Sequence, residues 1–242
     1  MKNISILLFI ILPLIASAQE TKKVTEKHTK PDYTEKFHVL RSDGTTKHGQ
    51  YTKTYSGLQE ETGYYKNGFK DSVWTLTDLS DDHIMATGNY TNGIKTDIWT
   101  YYKTKDTVER KYDYSLKQVA YYLKDTSRKA LVISGNDTTE VKVDRPPFCL
   151  TSQKLLIDLL GHNLHYPDEA RENGEEGRVL VAFIVDSNGS TGMAWVKKGV
   201  TKSLDAEAQR VGNMIPFECI PAILNGRPVT SIYVQPMSFK LE

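Results

Sequence analysis

Few residues in this 242-residue sequence have the types and spacing that chemistry requires. The closest histidine pair is His162-x-x-His165, a spacing at which two imidazoles can share one helical face and bind zinc. A glycine ends the predicted helix just before this pair, and the sequence places no third ligand nearby. We therefore interpret both as solvated loop histidines and predict no metal site.

Other patterns that would indicate an enzyme are equally weak. Asp186-x-Asn188-Gly189 begins like a calcium loop, but the later acidic ligands are missing, so a hairpin turn is favoured. The sequence has no nucleophile elbow, phosphate loop or nucleotide fingerprint, and no base can be identified for a serine or cysteine nucleophile. We predict that the protein is not an enzyme and has no cofactor.

The first eighteen residues are typical of a secretory signal peptide. Lys2 precedes an apolar run at residues 4–15, and Ala16-Ser17-Ala18 offers a small-residue cleavage site. Cleavage after this site predicts an exported, periplasmic protein. The alternative is an inner-membrane anchor through residues 4–15, although this run is well short of the ~20 residues that a helical span needs. Membrane contact is expected only if the segment is not cleaved.

The charge balance of the exported chain is even. The full sequence has 31 basic and 30 acidic residues, and removal of residues 1–18 takes away one lysine and no acid. A chain without net charge has no bulk attraction for polyanions, so we expect no nucleic acid partner. Two alternatives are open for Cys149 and Cys219. They either form a disulfide, closing a loop of about 70 residues worth roughly 4 kcal/mol, or remain buried thiols.

Residues 62–76 repeat at residues 87–101, a period of 25 residues. Asn-Gly between aromatic-rich runs predicts hairpins with type I′ turns, and a fixed period predicts that these hairpins stack. We predict a polar linker at 19–37 and a β-hairpin repeat domain at 38–143, whose closing edge is formed by residues 115–143. The coincident positions are Gly63/Gly88, Tyr65/Tyr90, Asn67/Asn92, Gly68/Gly93, Lys70/Lys95 and Trp74/Trp99. The pattern resembles MORN-type repeats, although Ser72 and Asp97 stand where a second glycine is common.

A second domain is predicted at residues 144–242, because Pro146-Pro147 breaks regular structure. Ser152 is expected to cap a helix with a leucine stripe that runs to Leu160. The later pattern predicts strand, strand, helix and strand, in the segments 179–185, 193–197, 204–211 (with Ser203 as N-cap) and 229–241. The predicted fold class is α+β, with an N-terminal antiparallel hairpin sheet and a small β-β-α-β domain preceded by a helix.

The second domain resembles the C-terminal domain of the TonB family, the periplasmic energy transducers of Gram-negative bacteria. The motifs that carry this resemblance span about a third of the chain. They are Tyr166-Pro167 with Ala170, Gly177-x-Val179-x-Val181-x-Phe183-x-Val185 with Asp186 and Gly189, Leu204-Asp205 with Glu207-Ala208, and Asn225-Gly226-x-Pro228-Val229 with Pro236 and Phe239. The chain departs from the family in the loop 217–222, and it lacks a long proline-rich spacer.

The resemblance implies a function linked to energy-dependent transport through outer-membrane receptors. A domain of this kind binds an extended peptide of a TonB-dependent receptor by adding it as a strand to its sheet. The alternative is a periplasmic or cell-surface scaffold, in which the repeat sheet is the interaction surface and the second domain docks or forms a homodimer.

The last strand, 229–241, is the predicted binding edge. Apolar residues change parity at Pro236, which favours a bulge at Gln235-Pro236, while an all-odd register is also open. Proline cannot donate to a ladder, so one side of this strand should be unpaired. The predicted partner-binding residues are Ser231, Tyr233, Gln235 and Pro236, with Tyr166 and Pro167 as a nearby supporting turn or as packing for the first strand.

Overall fold

The computed structural model describes residues 20–29, 32–55, 59–123, 128–150, 163–214 and 217–241. The predicted signal peptide, the helix predicted from Ser152 to Leu160, and His162 lie outside these residues. Within them the chain is mostly β-strand, and the predicted α+β class is confirmed: an antiparallel hairpin sheet is followed by a smaller sheet that carries a helix.

The first sheet has nine antiparallel strands in sequence order, each paired with its neighbours along the chain. This arrangement follows from short connections, since a tight turn can only return the chain antiparallel to the strand it has just left. The strands are β1 (Thr21–Thr29), β2 (Asp32–Leu40), β3 (Lys47–Tyr55), β4 (Gln59–Lys66), β5 (Phe69–Asp78), β6 (His83–Thr91), β7 (Ile94–Thr104), β8 (Thr107–Asp113) and β9 (Gln118–Tyr122).

Both predicted Asn-Gly turns are confirmed. Asn67 and Gly68 have φ angles of 50° and 86°, and Asn92 and Gly93 have 49° and 82°. Two successive positive φ angles define the type I′ turn, whose twist matches that of the flanking strands.

The period of 25 residues arises from indole rings that cross a neighbouring strand at a glycine. A Cβ atom on Gly63 would lie 2.2 Å from Trp74 Cδ2, and one on Gly88 would lie 2.3 Å from Trp99 Cδ2. Glycine is therefore required beneath each ring. The aromatic rings lie on one face of the sheet and form its core with Phe37, Val39, Tyr51 and Tyr101.

The structure corrects the prediction of a polar linker at residues 19–37. Residues 21–29 form β1, and most of β2, residues 32–37, also falls within the predicted linker. β1 pairs with β2 along all nine of its residues, and most of its side chains are exposed. Backbone pairing with β2 is enough to hold it, without an alternating apolar pattern that the sequence could show.

The second sheet has five antiparallel strands, which lie in the order Asp137–Lys142, Lys129–Ser134, Ser231–Phe239, Gly177–Val185 and Trp195–Lys198. They are β10 (Lys129–Ser134), β11 (Asp137–Lys142), β13 (Gly177–Val185), β14 (Trp195–Lys198) and β18 (Ser231–Phe239). The placement of residues 115–143 as the closing edge of the first sheet is therefore only half right. β9 closes that sheet, whereas the hairpin of β10 and β11 pairs with β18, about 100 residues further along the chain.

In the part of the chain that the structure describes, two helices accompany the second sheet, α1 (Asp168–Glu172) and α2 (Lys202–Met214). The apolar face of α2, formed by Leu204, Ala208 and Val211, packs on the sheet as its spacing predicted. Ser203 is not the N-cap, because the helix begins one residue earlier. The Thr201 carbonyl accepts the first helical hydrogen bond, from the Asp205 N–H at 2.9 Å.

Two short ribbons complete the described fold. One pairs β12 (Phe148–Cys149) with β15 (Cys219–Ile220), and the other is a hairpin of β16 (Ala222–Leu224) and β17 (Arg227–Val229). The hairpin fills most of the stretch between the predicted loop 217–222 and the predicted last strand, for which the sequence predicted no strand. Its turn, Asn225-Gly226, has φ angles of 51° and 73°, again the type I′ geometry.

Candidate peptide-binding edge

β18 lies in the middle of the second sheet but is paired unequally on its two sides. On one side it pairs with β13 along its whole length, from Ser231 to Phe239. On the other side β10 pairs only with Ser231 and Ile232. Among the described residues, no strand pairs with the remainder of that side. The predicted unpaired side of the last strand is therefore present, but only beyond Ile232.

The backbone direction of each β18 residue follows from the alternation of an antiparallel ladder. Within a strand, the N–H and C=O of one residue point to the same side, and those of the next residue to the opposite side. The Ile133 N–H donates to the Thr230 carbonyl at 3.0 Å, so Thr230 faces β10. By alternation Val234, Pro236 and Ser238 face the same side, beyond the end of β10. These three residues form the part of β18 that we call the open edge.

Pro236 fits the open edge because it has no N–H to leave without a partner. The predicted bulge at Gln235-Pro236 is wrong, since the register with β13 runs without a shift from Ser231 to Phe239. The all-odd alternative is the observed one. Ser231, Gln235, Met237 and Phe239 are buried on one face, and the apparent change of parity came from apolar even residues on the opposite face.

Three of the predicted partner-binding residues do not reach the open edge. Ser231 and Gln235 are 0% and 2% exposed, and Tyr233 packs on Phe183 with ring centroids 5.2 Å apart. Their backbone groups point towards β13. Of the four residues predicted on this strand, only Pro236 faces the open edge.

Tyr166 and Pro167 have structural roles. The Tyr166 ring packs edge-on against Phe239, with centroids 5.9 Å apart, and its hydroxyl donates to the Glu175 carbonyl. Pro167 occupies the N-cap position of α1. Tyr166 therefore packs on the last strand, and Pro167 begins a helix.

The sequence reasoning missed Val234 and Ser238. Their side chains carry no chemical signal, because what places them at the open edge is the direction of their backbone groups. The alternation of buried residues along β18 could have identified them, if Pro236 had been interpreted as a residue whose backbone faces the open edge and not as part of a bulge.

A disulfide joins the two strands of the ribbon that lies between the sheets. Of the two alternatives for Cys149 and Cys219, a disulfide or buried thiols, the structure shows the disulfide. Cys149 and Cys219 lie directly opposite each other in β12 and β15, with an S–S distance of 1.99 Å. The bonded sulfurs pack on Phe183 and Val185 of the second sheet. On the other side of the ribbon, Phe148 stacks on Tyr122 of the first sheet, with ring centroids 4.9 Å apart.

Polar contacts also join the first sheet to Glu218, the residue before β15. The Tyr114 hydroxyl donates to Glu218 at 2.9 Å, and the Lys95 ammonium lies 3.5 Å from the same carboxylate. Burial is the main reason that the pKa of Tyr114 is raised, and its contacts with Tyr101 and Glu218 add to the shift. Tyr114 therefore stays protonated and donates this hydrogen bond throughout the physiological range.

A cleft of about 700 Å³ opens beside the disulfide ribbon, between the sheets. Arg145 lines it, donates to the Pro221 carbonyl at 3.3 Å and lies over the Phe148 ring. Burial lowers the pKa of this guanidinium. The wall also contains the polar turn Ser187–Ser190, so the cleft is a wide polar groove and does not resemble an enclosed catalytic pocket.

The geometry defines a small α+β domain in which a helix covers one face of an antiparallel sheet and one strand edge is left partly open. Residues 162–241 match the model of the family described as Gram-negative bacterial TonB protein C-terminal. The matched segment contains β13, β14, α2 and β18, and it excludes the nine-stranded sheet and the hairpin of β10 and β11. No curated protein and no solved structure matches the chain.

The match confirms the resemblance for this segment, and a domain of this family implies a protein-interaction role in the periplasm. The antiparallel hairpins of the first sheet fit a repeat architecture. None of the helices in the described residues is long and apolar enough to span a membrane.

Proposed function

We propose that this chain is an exported interaction protein that binds an extended peptide by adding it as a strand to the open edge of β18. One observation carries the proposal: β18 has a complete ladder on the β13 side, while its other side lacks a paired strand from Tyr233 onwards among the described residues. Such an edge offers a row of backbone donors and acceptors to another chain.

The structure limits how a partner strand can bind. It would exchange backbone hydrogen bonds with Val234 and Ser238 and could only donate to Pro236, which has a carbonyl but no N–H. The end of β10 at Ser231 and Ile232 sets the boundary of the binding register. A longer partner strand would have to displace β10.

We further propose that the partner is a periplasmic segment of an outer-membrane TonB-dependent receptor, and that binding is linked to energy-dependent transport. The family match of residues 162–241 supports this assignment. Export through a signal peptide at residues 1–18 belongs to the same proposal. N-terminal sequencing of protein from the periplasmic fraction should begin at Gln19. Recovery of intact Met1 in the inner-membrane fraction would favour the anchored alternative.

A proline substitution on the open edge tests strand addition. Val234→Pro removes an N–H that faces the open edge, while Val234→Ala removes the side chain and keeps that N–H. In pull-downs of receptors from detergent-solubilised outer membrane, Val234→Pro should recover at least about tenfold less receptor than Val234→Ala. Thermal melts of both variants establish that the domain is folded. Equal recovery by the two folded variants would contradict strand addition.

A scaffold function is the second candidate, because β5 and β7 of the first sheet carry exposed apolar side chains. Phe69 and Val73 on β5 and Ile94 and Ile98 on β7 are all about half exposed or more. Exposed apolar side chains on neighbouring hairpins are a surface that another protein could cover. If Phe69→Ser with Ile94→Ser abolishes receptor recovery while Val234→Pro does not, the repeat sheet is the interaction surface.

A homodimer is a further proposal for the same edge, since two copies could pair their β18 strands antiparallel. Light scattering of the purified protein would show twice the monomer mass, and Val234→Pro should return it to the monomer.

A further inference from the structure

The cleft beside the disulfide ribbon holds a cation that the proposed binding edge of β18 does not use. Arg145 lines this cleft, and among the described residues its guanidinium has one hydrogen-bond acceptor, the Pro221 carbonyl, 3.3 Å from Nη2. Its Nε atom is buried without a hydrogen-bond partner. Most N–H donors of this guanidinium therefore have no acceptor in the part of the chain that the structure describes.

Arg145 also differs from other arginines of the chain in its charge partner. Arg110 lies 2.5 Å from Glu109, and Arg210 lies 2.6 Å from Glu207. No carboxylate of the described residues forms such a pair with Arg145, and burial lowers the pKa of its guanidinium. This is the direction expected of a cation that has lost water without gaining an anion. An anion bound in the cleft would compensate that loss.

The backbone of Arg145 is fixed at the wall of the cleft. The Ile223 N–H donates to the Arg145 carbonyl at 2.8 Å, and the Arg145 N–H donates to the Ile223 carbonyl at 3.3 Å. The guanidinium lies 5.6 Å from the centroid of the Phe148 ring. A cation held in this way is in place before a ligand arrives, which lowers the entropic cost of binding.

The charges of the cleft favour a singly charged anion. Among the described residues that line it, Arg145 and Lys117 are cations and Glu218 is an anion. The Glu218 carboxylate already has the Lys95 ammonium at 3.5 Å and the Tyr114 hydroxyl at 2.9 Å. Two cations against one carboxylate leave a single excess positive charge. This balance suits a carboxylate better than a doubly charged phosphate.

A strand edge beside the cleft favours a peptide as the carrier of the carboxylate. β9 is the last strand of the first sheet, and among the described residues it pairs only with β8. Gln118 and Val119 of β9 line the cleft. An extended peptide in the cleft thus meets strand backbone without a partner strand, as well as the Arg145 guanidinium. The volume of about 700 Å³ is in the range of known ligand pockets.

We infer that this cleft is a second peptide-binding site, in which the Arg145 guanidinium binds a carboxylate of the peptide. The carboxylate belongs to an acidic side chain or to the chain terminus, since both present the same pair of oxygens to an arginine. Lys117 is exposed and adds electrostatic attraction. No residue of β18 lines the cleft, so this site does not depend on strand addition at the open edge.

Fluorescence anisotropy of rhodamine-labelled peptides with the full mature chain tests the inference. Each probe is a hexapeptide of alternating valine and serine. One has a central aspartate and an amidated C-terminus, one has no aspartate and a free C-terminus, and the neutral probe has neither carboxylate. At least one acidic probe should bind at least about tenfold more tightly than the neutral probe, and its identity gives the source of the carboxylate. Equal affinity for all probes would overturn the assignment.

Substitution of the arginine tests its role. Arg145→Gln removes the charge and keeps an amide that can donate to the Pro221 carbonyl, and it should reduce the preference for the acidic probe to less than about twofold. The matched control is Arg178→Gln, which removes an exposed arginine on β13 and should keep the full preference. Unchanged preference in a folded Arg145→Gln chain would contradict the site.

A pair of variants elsewhere in the cleft keeps the test informative if Arg145→Gln fails to fold. Ser187 lines the cleft and is exposed, so it can be replaced by Asp or Asn without loss of packing. Ser187→Asp should bind the acidic probe at least about threefold more weakly than Ser187→Asn, because the new carboxylate repels that of the peptide. The neutral probe should bind both variants equally. Equal binding of the acidic probe by both variants would exclude the cleft as its site.

Val234→Pro separates this site from the proposed strand addition at β18. The variant should recover less receptor in a pull-down and yet keep the preference for the acidic probe, because Val234 does not line the cleft. Loss of that preference in a folded Val234→Pro chain would place the carboxylate at the open edge of β18 and overturn the cleft site.

Discussion

Two glycines of the repeat, Gly63 and Gly88, make room for the largest side chains of the first sheet. We expect Gly88→Ala to destabilise the chain by about 2 kcal/mol, because the new methyl group would lie 2.3 Å from Trp99 and overpack a rigid ring. Gly192→Ala is the matched control, since the nearest atom, Ile184 Cβ, lies 3.7 Å from the new methyl. Urea unfolding of both variants measures the difference. Equal midpoints would mean that the indole can move aside at little cost.

Two half-buried tyrosines that pack on the tryptophans of the first sheet, Tyr65 and Tyr90, predict a loss of stability at high pH. Burial, with a smaller contribution from Glu61, raises the pKa of Tyr65 and of Tyr90 to about 12. A pKa above the unfolded value near 10 means that folding favours the protonated phenol. The contribution of these residues is thus complete below pH 10 and decreases as the pH rises from 10 to 12.

Absorbance at 295 nm during an alkaline titration would follow this loss. We expect a late, cooperative tyrosine ionisation that coincides with unfolding seen by circular dichroism. In Tyr90→Phe one ionisation should be missing from that late step. A wild-type chain whose tyrosines all ionise near pH 10 without unfolding would contradict the prediction.

At the scale of single residues, the sequence predicted the turn and core residues of the repeat better than the residues that face a partner. Gly63, Trp74 and the Asn-Gly turns could be predicted because their period repeats a local geometry. Ser72 and Asp97, noted as departures from a glycine pattern, have φ angles of 62° and 56°, so they adopt the conformation that glycine prefers. Ser231 and Gln235 were misassigned because the direction of a backbone group depends on the partner strand, which the sequence does not reveal.

Among the secondary-structure elements, the disulfide ribbon is very short, but we expect it to have a large effect on stability. β12 and β15 are two residues long, yet they lie between the two sheets and link positions 70 residues apart. We expect Cys149→Ser with Cys219→Ser to lower the free energy of unfolding by about 4 kcal/mol, mainly because the unfolded chain gains freedom.

Denaturant unfolding of the double variant and of the wild-type chain, with and without reductant, measures this change. The control is the double variant itself, which reductant should not affect further. If reductant leaves the wild-type midpoint unchanged and the double variant matches it, the bond does not contribute to stability.

Elements with local partners were predictable from the sequence, and those with distant partners were not. The hairpin of β13 and β14 was identified from alternation and a turn signal, and it pairs as expected. The hairpin of β10 and β11 was also recognised as strands, but its partner, β18, lies about 100 residues away. β1 escaped recognition because its nine residues include one strongly apolar side chain, Val24, and its pairing is through the backbone.

At the scale of the whole molecule, the division into two sheets does not coincide with the proline pair that the sequence indicated. The hairpin of β10 and β11 precedes Pro146-Pro147 yet belongs to the second sheet. Its Ala130 and Val132 form an apolar cluster with Ala222 and Val229 of the second ribbon. We therefore propose that the unit which folds with the matched domain begins near Arg128 and not at Asp144.

Two fragments, 128–242 and 144–242, test this boundary. Both lack the nine-stranded sheet, so their comparison isolates the contribution of the hairpin of β10 and β11. The shorter fragment exposes the apolar side chains that the hairpin covers, and at ~25 cal/mol per Å² of apolar surface we expect it to be at least about 2 kcal/mol less stable. Thermal melts by circular dichroism measure the difference. Equal melting temperatures would return the boundary to Asp144, because they would show that the hairpin adds nothing to the domain it pairs with.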